Sequence, residues 1–441
     1  MTDRIKGFRD IYPEEMAAQR AVIDSIEAVA RSYGFREIAT PALERTQLYI
    51  DKSGEEIVDE LYTFEDQGGR SVAMTPELTP TVARMVAERH QELGKPIKWF
   101  STRPFWRYEQ VQQGRFREFY QTNVDIFGSK APEADAEILA FAADALRSLE
   151  LTPDDFEFRV SHRDILSELL RDTSDSVDVA AGIRAVDKRE KLTHDEYLTE
   201  LEGAGLRPAE AERFDSILTE AGADLTVLLE EVDREAMHCA VDNLRAVLDA
   251  AKDFGARDCC RLSLDTARGL DYYTGVVFEC FDTAGDVSRA IFGGGRYDTL
   301  IADSGGPEMP AVGVAPGVMN STLPLLLKRA GVWPEEAWQT DYYVLSVGDT
   351  RPTALDIAQT LRARGNQVET DLADRSFGSQ LEYADSIGAA TVVIVGERDL
   401  ADGVVTIKDM HSGEQTQVPL ADFPGEHDQP RYVDFASATE H

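Results

Sequence analysis

Apolar residues return at helical spacing in the first forty residues. Val22, Ile26, Val29 and Tyr33 fall three or four positions apart, Pro13 suits a first helical turn and Gly34 a stop, so the pattern predicts an amphipathic helix over Pro13 to Ser32. A strand at Phe35 to Thr40, ended by Pro41, and a second helix from Thr79 to about Glu92 follow. Lys98 to Gln110 and Arg117 to Phe127 are rich in aromatic and β-branched residues around a polar turn at 111–115, which predicts a hairpin. Asp135 to Leu149 reads as a helix. From about Ser174 to Asp249 β-branched runs give way to charged helix formers, the pattern of a helical insertion. Strands return at Arg261 to Asp265 and Val276 to Phe281, a glycine cluster follows at Gly293-Gly294-Gly295, and Ala311 to Ala315 reads as another strand. Leu327 to Thr340 looks like a linker. Beyond it, strands at Asp341 to Val347, Gln367 to Asp371, Thr391 to Val395 and Val404 to Lys408 alternate with helices at Arg351 to Arg364 and Gly378 to Ile387, which predicts a separate small α/β domain. The tail beyond Pro424 is polar and reads as loose.

Composition changes this picture in one respect. The 441 residues are too many for one ordinary core, and no apolar stretch approaches a membrane span. The charged start, Met1 to Asp10, lacks the apolar centre of a signal peptide, so the expected compartment is the cytoplasm. Four cysteines without a Cys-x-x-Cys pair read as reduced, mostly buried thiols, not as a zinc or disulfide framework. The charge is unusual: 81 acidic against 45 basic residues, a net −36. Alone, that argues against a nucleic-acid ligand. At about 1 M salt, however, the Debye length falls to about 3 Å and diffuse repulsion is screened. The acids lie along the whole chain (Glu14-Glu15, Asp154-Asp155, Glu230-Glu231), unlike an acidic tail, so the charge reads as adaptation to a salty cytosol.

Three constellations carry candidate chemistry. In the hairpin, residues two apart share a face, which aligns Arg107 with Glu109 and Arg117, Phe119, Gln121, Asn123, Asp125 and Phe127 with one another. Cations, amides and carboxylates amid aromatics suit a phosphate, a ring and a small zwitterion together, although a structural hairpin stays open on these residues alone. Arg268-Gly269-Leu270-Asp271-Tyr272-Tyr273-Thr274-Gly275 offers tight backbone and two phenols, and on composition alone reads first as an ordinary turn between strands. Gly293-Gly294-Gly295-Arg296-Tyr297-Asp298 permits close approach of backbone to a ligand but fits neither common phosphate-loop pattern.

Taken together these residues resemble the histidine–tRNA ligases, a family of class II aminoacyl-tRNA synthetases, from Lys6 to about Leu420. Lys6-Gly7-Phe8-Arg9-Asp10 is similar to the family's opening signature. Tyr33 to Ile38 with Thr40-Pro41 and Glu44 resembles class II motif 1, a dimer element. Phe105 to Glu109 and Gly114 to Phe119 resemble motif 2. Thr75 to Pro80 resembles a histidine-binding segment, and Arg268 to Tyr273 a histidine-specific signature. The resemblance implies an α+β fold: an antiparallel class II sheet flanked by helices, with residues 1–173 and 251–330 as catalytic core, 174–250 as helical insertion and 340–424 as an α/β anticodon-binding domain. It implies ATP-dependent ligation of L-histidine to tRNA(His) through a histidyl-adenylate, releasing AMP and diphosphate, by a homodimer using Mg2+ with ATP and no other metal.

Residue by residue, the resemblance gives Glu77, Leu78 and Thr79 to histidine binding, with Glu77, Thr79 and Gln121 on the α-amino group. Asp125 and Tyr273 read the imidazole nitrogens and Tyr272 lines the pocket. Arg107 takes the α-phosphate, Glu109 the adenine side, Phe119 the adenine face and Arg115 the distal phosphates. Arg268 stabilises the α-phosphate during attack, so Arg107 and Arg268 are the implied catalytic residues. Arg375 to Gly378 with Gln380 and Tyr383 to Asp385 is similar to the anticodon domain's first helical turn, and Arg184, Lys188, Arg189 and Lys191 form a basic patch for the tRNA acceptor arm, or a solvated helix face. His162 and His238 are assigned no catalytic part.

Two departures stand out. Asp125 occupies a place where bacterial members carry Glu. Asn320, in Ala311 to Asn320, stands where motif 3 ends in an ATP-clamping Arg; either another cation serves the γ-phosphate or the site is weakened. A non-catalytic regulatory paralogue that binds a histidine-biosynthesis enzyme is the competing reading.

Overall fold

The computed structural model describes residues 3–50, 59–222, 224–266, 272–287, 289–334 and 340–423, without the side chain of residue 190. It divides into two compact units, residues 1–11 with 19–334, and 12–18 with 335–441. The expected loose tail beyond Pro424 lies outside the described residues, as does Arg268 with the 267–271 stretch.

The larger unit is built on a nine-stranded, mostly antiparallel sheet flanked by helices. Its strands are β1 (Arg36–Glu37), β5 (Ile97–Trp106), β6 (Glu118–Phe127), β11 (Ala311–Val314), β10 (Phe292–Arg296), β9 (Val276–Asp282), β7 (Phe156–His162) and β8 (Cys260–Leu262), in that order, with β12 (Gly317–Met319) also paired to β6. β2 (Leu43–Arg45), β3 (Thr63–Glu65) and β4 (Ser71–Met74) form a small separate sheet. The hairpin pairs Ile97 with Phe127 through Trp106 with Glu118. Helix Pro132–Arg147 packs against this sheet and against helix Glu235–Asp253, burying Ile138, Leu139, Phe141, Leu244 and Val247 in the main core with Phe156, Phe158 and Phe278. Each such side chain contributes roughly 1.5–3 kcal/mol of burial. Among the described residues between 174 and 253 run five α-helices, including His194–Gly203, whose start is fixed by a capping box between Thr193 and Glu196.

Several expected boundaries move. The strand expected at Phe35 to Thr40 shrinks to Arg36–Glu37, with Ile38 still donating to the Phe100 carbonyl (2.9 Å) and the Thr40 carbonyl accepting from the Arg103 guanidinium (2.9 Å). The helix from Thr79 ends at Arg89. The glycine cluster, read as following a strand, lies within one: β10 takes Gly293 to Gly295 between β9 and β11, where a Cβ on Gly294 would overlap the Gly313 carbonyl oxygen. The linker starts later than Leu327, since helix Leu323–Ala330 buries Leu327 and is capped by Gly331 at φ +75°. Gln415–Pro419 is a strand the pattern did not single out.

The smaller unit carries a five-stranded sheet in the order β14 (Val368–Thr370), β13 (Tyr342–Val347), β15 (Thr391–Gly396), β16 (Val404–Asp409), β17 (Gln415–Pro419). β14, β13 and β15 are parallel, and the last two pairings are antiparallel. Helix Arg351–Ala363 covers one face and helix Phe377–Ser386 the other, each over its own apolar cluster. Among the described residues no helix is long and apolar enough to cross a membrane.

Candidate functional site

Alternation along β6 carries Phe119, Gln121, Asn123 and Asp125 to one face of the large sheet. There they meet side chains from three other places: the start of helix Thr79–Arg89, the Tyr272-Tyr273 turn, and β10 with β11. Two adjoining pockets result. The inner one is lined by Glu77, Thr79, Arg107, Gln121, Asn123, Asp125, Tyr272, Tyr273, Phe292, Gly293, Tyr297, Gly313, Val314 and Ala315. The outer one includes Arg107, Glu109, Arg115, Phe119, Gln121, Glu279, Arg289, Phe292 and Asn320, with Asp187 and Lys191 from the helical segment. Arg107, Gln121 and Phe292 line both, so the pockets join there.

The inner pocket is a network of buried acids and phenols. Tyr272 donates to Glu77 at 3.0 Å, and Tyr297 donates to Asp125. Burial pushes the Asp125 carboxyl up to about 7, against the opposing hydrogen bond from Tyr297. Burial first, and then the neighbouring Glu77 charge, raise Tyr272 well above the ordinary phenol, so it stays a donor. The three rings of Tyr272, Tyr273 and Tyr297 pack edge to face or tilted, with centroids 5.0 and 5.8 Å apart. Two glycines make room: a Cβ on Gly313 would overlap the Asp125 carboxylate, and one on Gly295 would lie 2.9 Å from the Tyr273 ring. Asn123 is buried with no hydrogen-bond partner at its Oδ1, an acceptor left open in the pocket wall.

The outer pocket is dominated by guanidinium groups. Arg107 donates from Nε to the Pro76 carbonyl at 3.0 Å, sits 5.6 Å over the Phe119 ring and lies 3.8 Å from Glu109. Arg115 forms an ion pair with the same Glu109, and burial lowers its pKa. The N-terminal signature reaches this region: Arg117 donates its backbone N–H to the Gly7 carbonyl at 2.9 Å, and Arg9 donates to the Asn320 side chain at 3.2 Å. Asn320 itself is buried, at φ +55°.

Of the residues singled out from sequence, the structure brings Glu77, Thr79, Arg107, Gln121, Asp125, Tyr272 and Tyr273 into the inner pocket, and Arg107, Glu109, Arg115 and Phe119 into the outer one. Leu78 is set apart: its side chain is buried in the apolar cluster with Val82, Phe105 and Phe127. Arg268 lies outside the described residues. Tyr297, Gly313, Phe292 and Arg289 were not singled out as binding residues. Tyr297 was visible in the glycine motif, but no local pattern shows that the residue just past β10 reaches Asp125. The expected basic patch is divided: Lys188 pairs with Glu200 (3.0 Å), Arg189 with Asp215 (2.6 Å), and Lys191 faces the outer pocket. His162 is a buried helix cap, accepting from the Asp164 N–H at 3.2 Å, and burial pulls its pKa down to about 4. Cys259, Cys260 and Cys280 are buried thiols; Cys239 is exposed.

In the smaller unit, Arg375 pairs with Asp371 (2.9 Å) and lies 4.0 Å over the Tyr383 ring, while Gln380 is buried and donates to the Ser346 and Arg375 carbonyls. Leu372 is 81% exposed and Phe377 46%.

Comparison with known proteins bears on both units. Residues 7–320 match the family model described as histidyl-tRNA synthetase, and residues 341–427 the one described as anticodon binding domain. The chain is 66% identical to a histidine–tRNA ligase of Natronomonas pharaonis over 99% of this chain and 100% of the relative. It is 63% identical to that of Haloarcula marismortui, with the same coverage. Among solved structures, the histidyl-tRNA synthetase from a Nostoc species superposes with a TM-score of 0.79 at 27% identity, covering 95% of this chain and 97% of the other.

Proposed function

The chain belongs to the histidyl-tRNA synthetase family, and from that premise we propose that the inner pocket takes histidine and the outer pocket ATP. The protein is a ligase that joins L-histidine to tRNA(His) at the expense of ATP; the regulatory-paralogue reading is not favoured. The high-identity relatives come from halophilic archaea, in keeping with the net charge of −36.

The observation that supports the assignment of pockets is their junction at Arg107. A histidine in the inner pocket presents its carboxylate there, and ATP in the outer pocket presents its α-phosphate there. The carboxylate oxygen attacks the α-phosphorus, diphosphate leaves, and Arg107 neutralises the charge that builds on the phosphate. A tRNA hydroxyl then attacks the histidyl carbonyl and AMP leaves. No protein nucleophile is needed; positioning and electrostatics suffice. Arg268 keeps the second cationic role implied by its signature. Glu77, Thr79 and Gln121 hold the ammonium group. Asp125 and Tyr273 read the ring nitrogens, and Tyr297 holds the Asp125 carboxylate in place. A pocket committed to hydrogen-bonding a ring strands buried polar atoms when an apolar isostere enters, which is the source of discrimination. Phe119 stacks on adenine, with Glu109 beside it and Arg115 toward the distal phosphates.

Mg2+ accompanies ATP in this reading. Magnesium binds through one or two carboxylates plus phosphate oxygens, and Glu279 and Asp187 line the outer pocket, so the residues fit an ion delivered with the nucleotide. It would neutralise charge on the distal phosphates. The smaller unit binds the anticodon through Arg375 and the exposed Phe377 and Leu372. The active form is a cytoplasmic homodimer, paired through the motif 1 segment from Tyr33 to Glu44, where Leu43 is exposed.

Histidine-dependent ATP–pyrophosphate exchange in molar KCl tests the reading. Exchange with histidine alone among the amino acids, followed by charging of tRNA(His), is expected. Exchange with another amino acid, or none from folded protein, would overturn it.

A further inference from the structure

Asn320 leaves the outer pocket without a charge at the motif 3 position, and its Oδ1 is engaged by Arg9. The other arginines there are committed to different degrees. Arg107 is tethered to Pro76, and both Arg107 and Arg115 share the single carboxylate of Glu109. Arg289 differs. Its Nη2 donates to the Gln112 side chain on the hairpin turn, and among the described residues it joins no ion pair. Its Nη1 is buried with no hydrogen-bond partner. A buried guanidinium N–H facing a pocket with nothing to accept from it is costly unless a ligand supplies the acceptor.

The backbone places Arg289 beside position 320. Thr322, two residues past Asn320, donates to the Ile291 carbonyl at 2.8 Å, which fastens the segment carrying Arg289 to the turn carrying Asn320. Gly114 presses the hairpin turn onto the same place: a Cβ there would lie 2.8 Å from Leu325 and 3.2 Å from Thr322. Arg289 and Asn320 therefore line the same pocket from adjoining segments. The charge of Arg289 is felt at Arg115, where with burial and Arg107 it opposes the protonated form. Guanidinium groups crowded in this way suit a polyanion.

We infer that Arg289 binds the distal phosphates of ATP, supplying from the β9–β10 connection the cation that Asn320 does not. The inference rests on the ATP assignment of the outer pocket and adds the residue that completes it.

Direct titration of ATP and of AMP into the full-length protein in molar KCl is the test, alongside KM values from pyrophosphate exchange. For Arg289→Ala, ATP affinity is expected to fall at least about tenfold while AMP affinity and the histidine KM stay unchanged, since AMP lacks the distal phosphates. Arg289→Lys recovers part of the loss. Gln112→Ala removes the same side-chain hydrogen bond and keeps the charge, so it leaves the ratio of ATP to AMP affinity as in the wild type. Equal loss of AMP and ATP affinity in Arg289→Ala would make the residue a structural latch and overturn the inference. An unchanged ratio in Arg289→Ala with a lowered one in Arg9→Ala would overturn it in favour of Arg9. Absence of exchange in the wild type would instead count against the ligase reading, and the titration would still decide the role of Arg289.

Discussion

The inner and outer pockets share a wall but are built on opposite principles. In the inner pocket acids and phenols are already paired to one another: Tyr272 to Glu77, Tyr297 to Asp125, with glycines cut to fit them. In the outer pocket two arginines, Arg107 and Arg115, share one carboxylate, Glu109, and a guanidinium nitrogen of Arg289 has no partner. The first arrangement reads shape and hydrogen-bond pattern. The second reads charge. A small zwitterion must be told apart from its isosteres, so its site is pre-organised. A triphosphate needs holding more than discriminating, so its site keeps excess positive charge, here inside a strongly acidic protein.

The largest effect should come where the two meet. Arg107→Ala is expected to lower the exchange rate on the order of 10^3-fold, as loss of one donor to developing charge typically does, and to weaken both substrates. Steady-state kinetics that showed one KM changed and kcat intact would break the idea of a shared junction. Next is a pH effect confined to the inner pocket. The native Asp125 carboxyl holds its proton up to about 7, whereas the unfolded chain gives it up near 4. The native state is the one binding the extra proton between those values, so this contribution to stability is present below about 4 and lost as pH rises through about 7. It amounts to up to about 4 kcal/mol, at about 1.4 kcal/mol per pH unit. Urea unfolding of the wild type relative to Asp125→Asn should show that decline; parallel curves would place Asp125 in a wetter site. Gly313→Ala should then cost roughly 10^2-fold in kcat/KM for histidine, because Asp125 must move, with little change in the ATP KM. Tyr297→Phe should cost about tenfold in histidine KM, the size of one hydrogen bond.

The hairpin was legible because period-two alternation alone sends Phe119, Gln121 and Asp125 to one face, and the strand pairing preserved that face. Tyr297 escaped as a pocket residue for the converse reason. It follows a strand built from glycines, which carry no strand pattern, and only that strand's pairing with β9 and β11, distant in sequence from β6, brings it to Asp125. Arg289 belongs to no motif; its place depends on the Thr322 contact across the sheet's end. Leu78, singled out within the Thr75 to Pro80 segment, turned its side chain to the core, because neighbours at the start of a helix face different directions. The edge strand Gln415–Pro419 is polar and largely exposed, held by its ladder to β16 with no apolar signature to announce it.

The separation of the two pockets is tested most directly by titrating histidine and ATP, each alone, into Asp125→Asn and the wild type in molar KCl. The account predicts that histidine affinity falls at least about 100-fold, since a site built around a buried acceptor is left mismatched, while ATP affinity stays within about twofold. Equal losses for both ligands, or an unchanged histidine affinity, would contradict it.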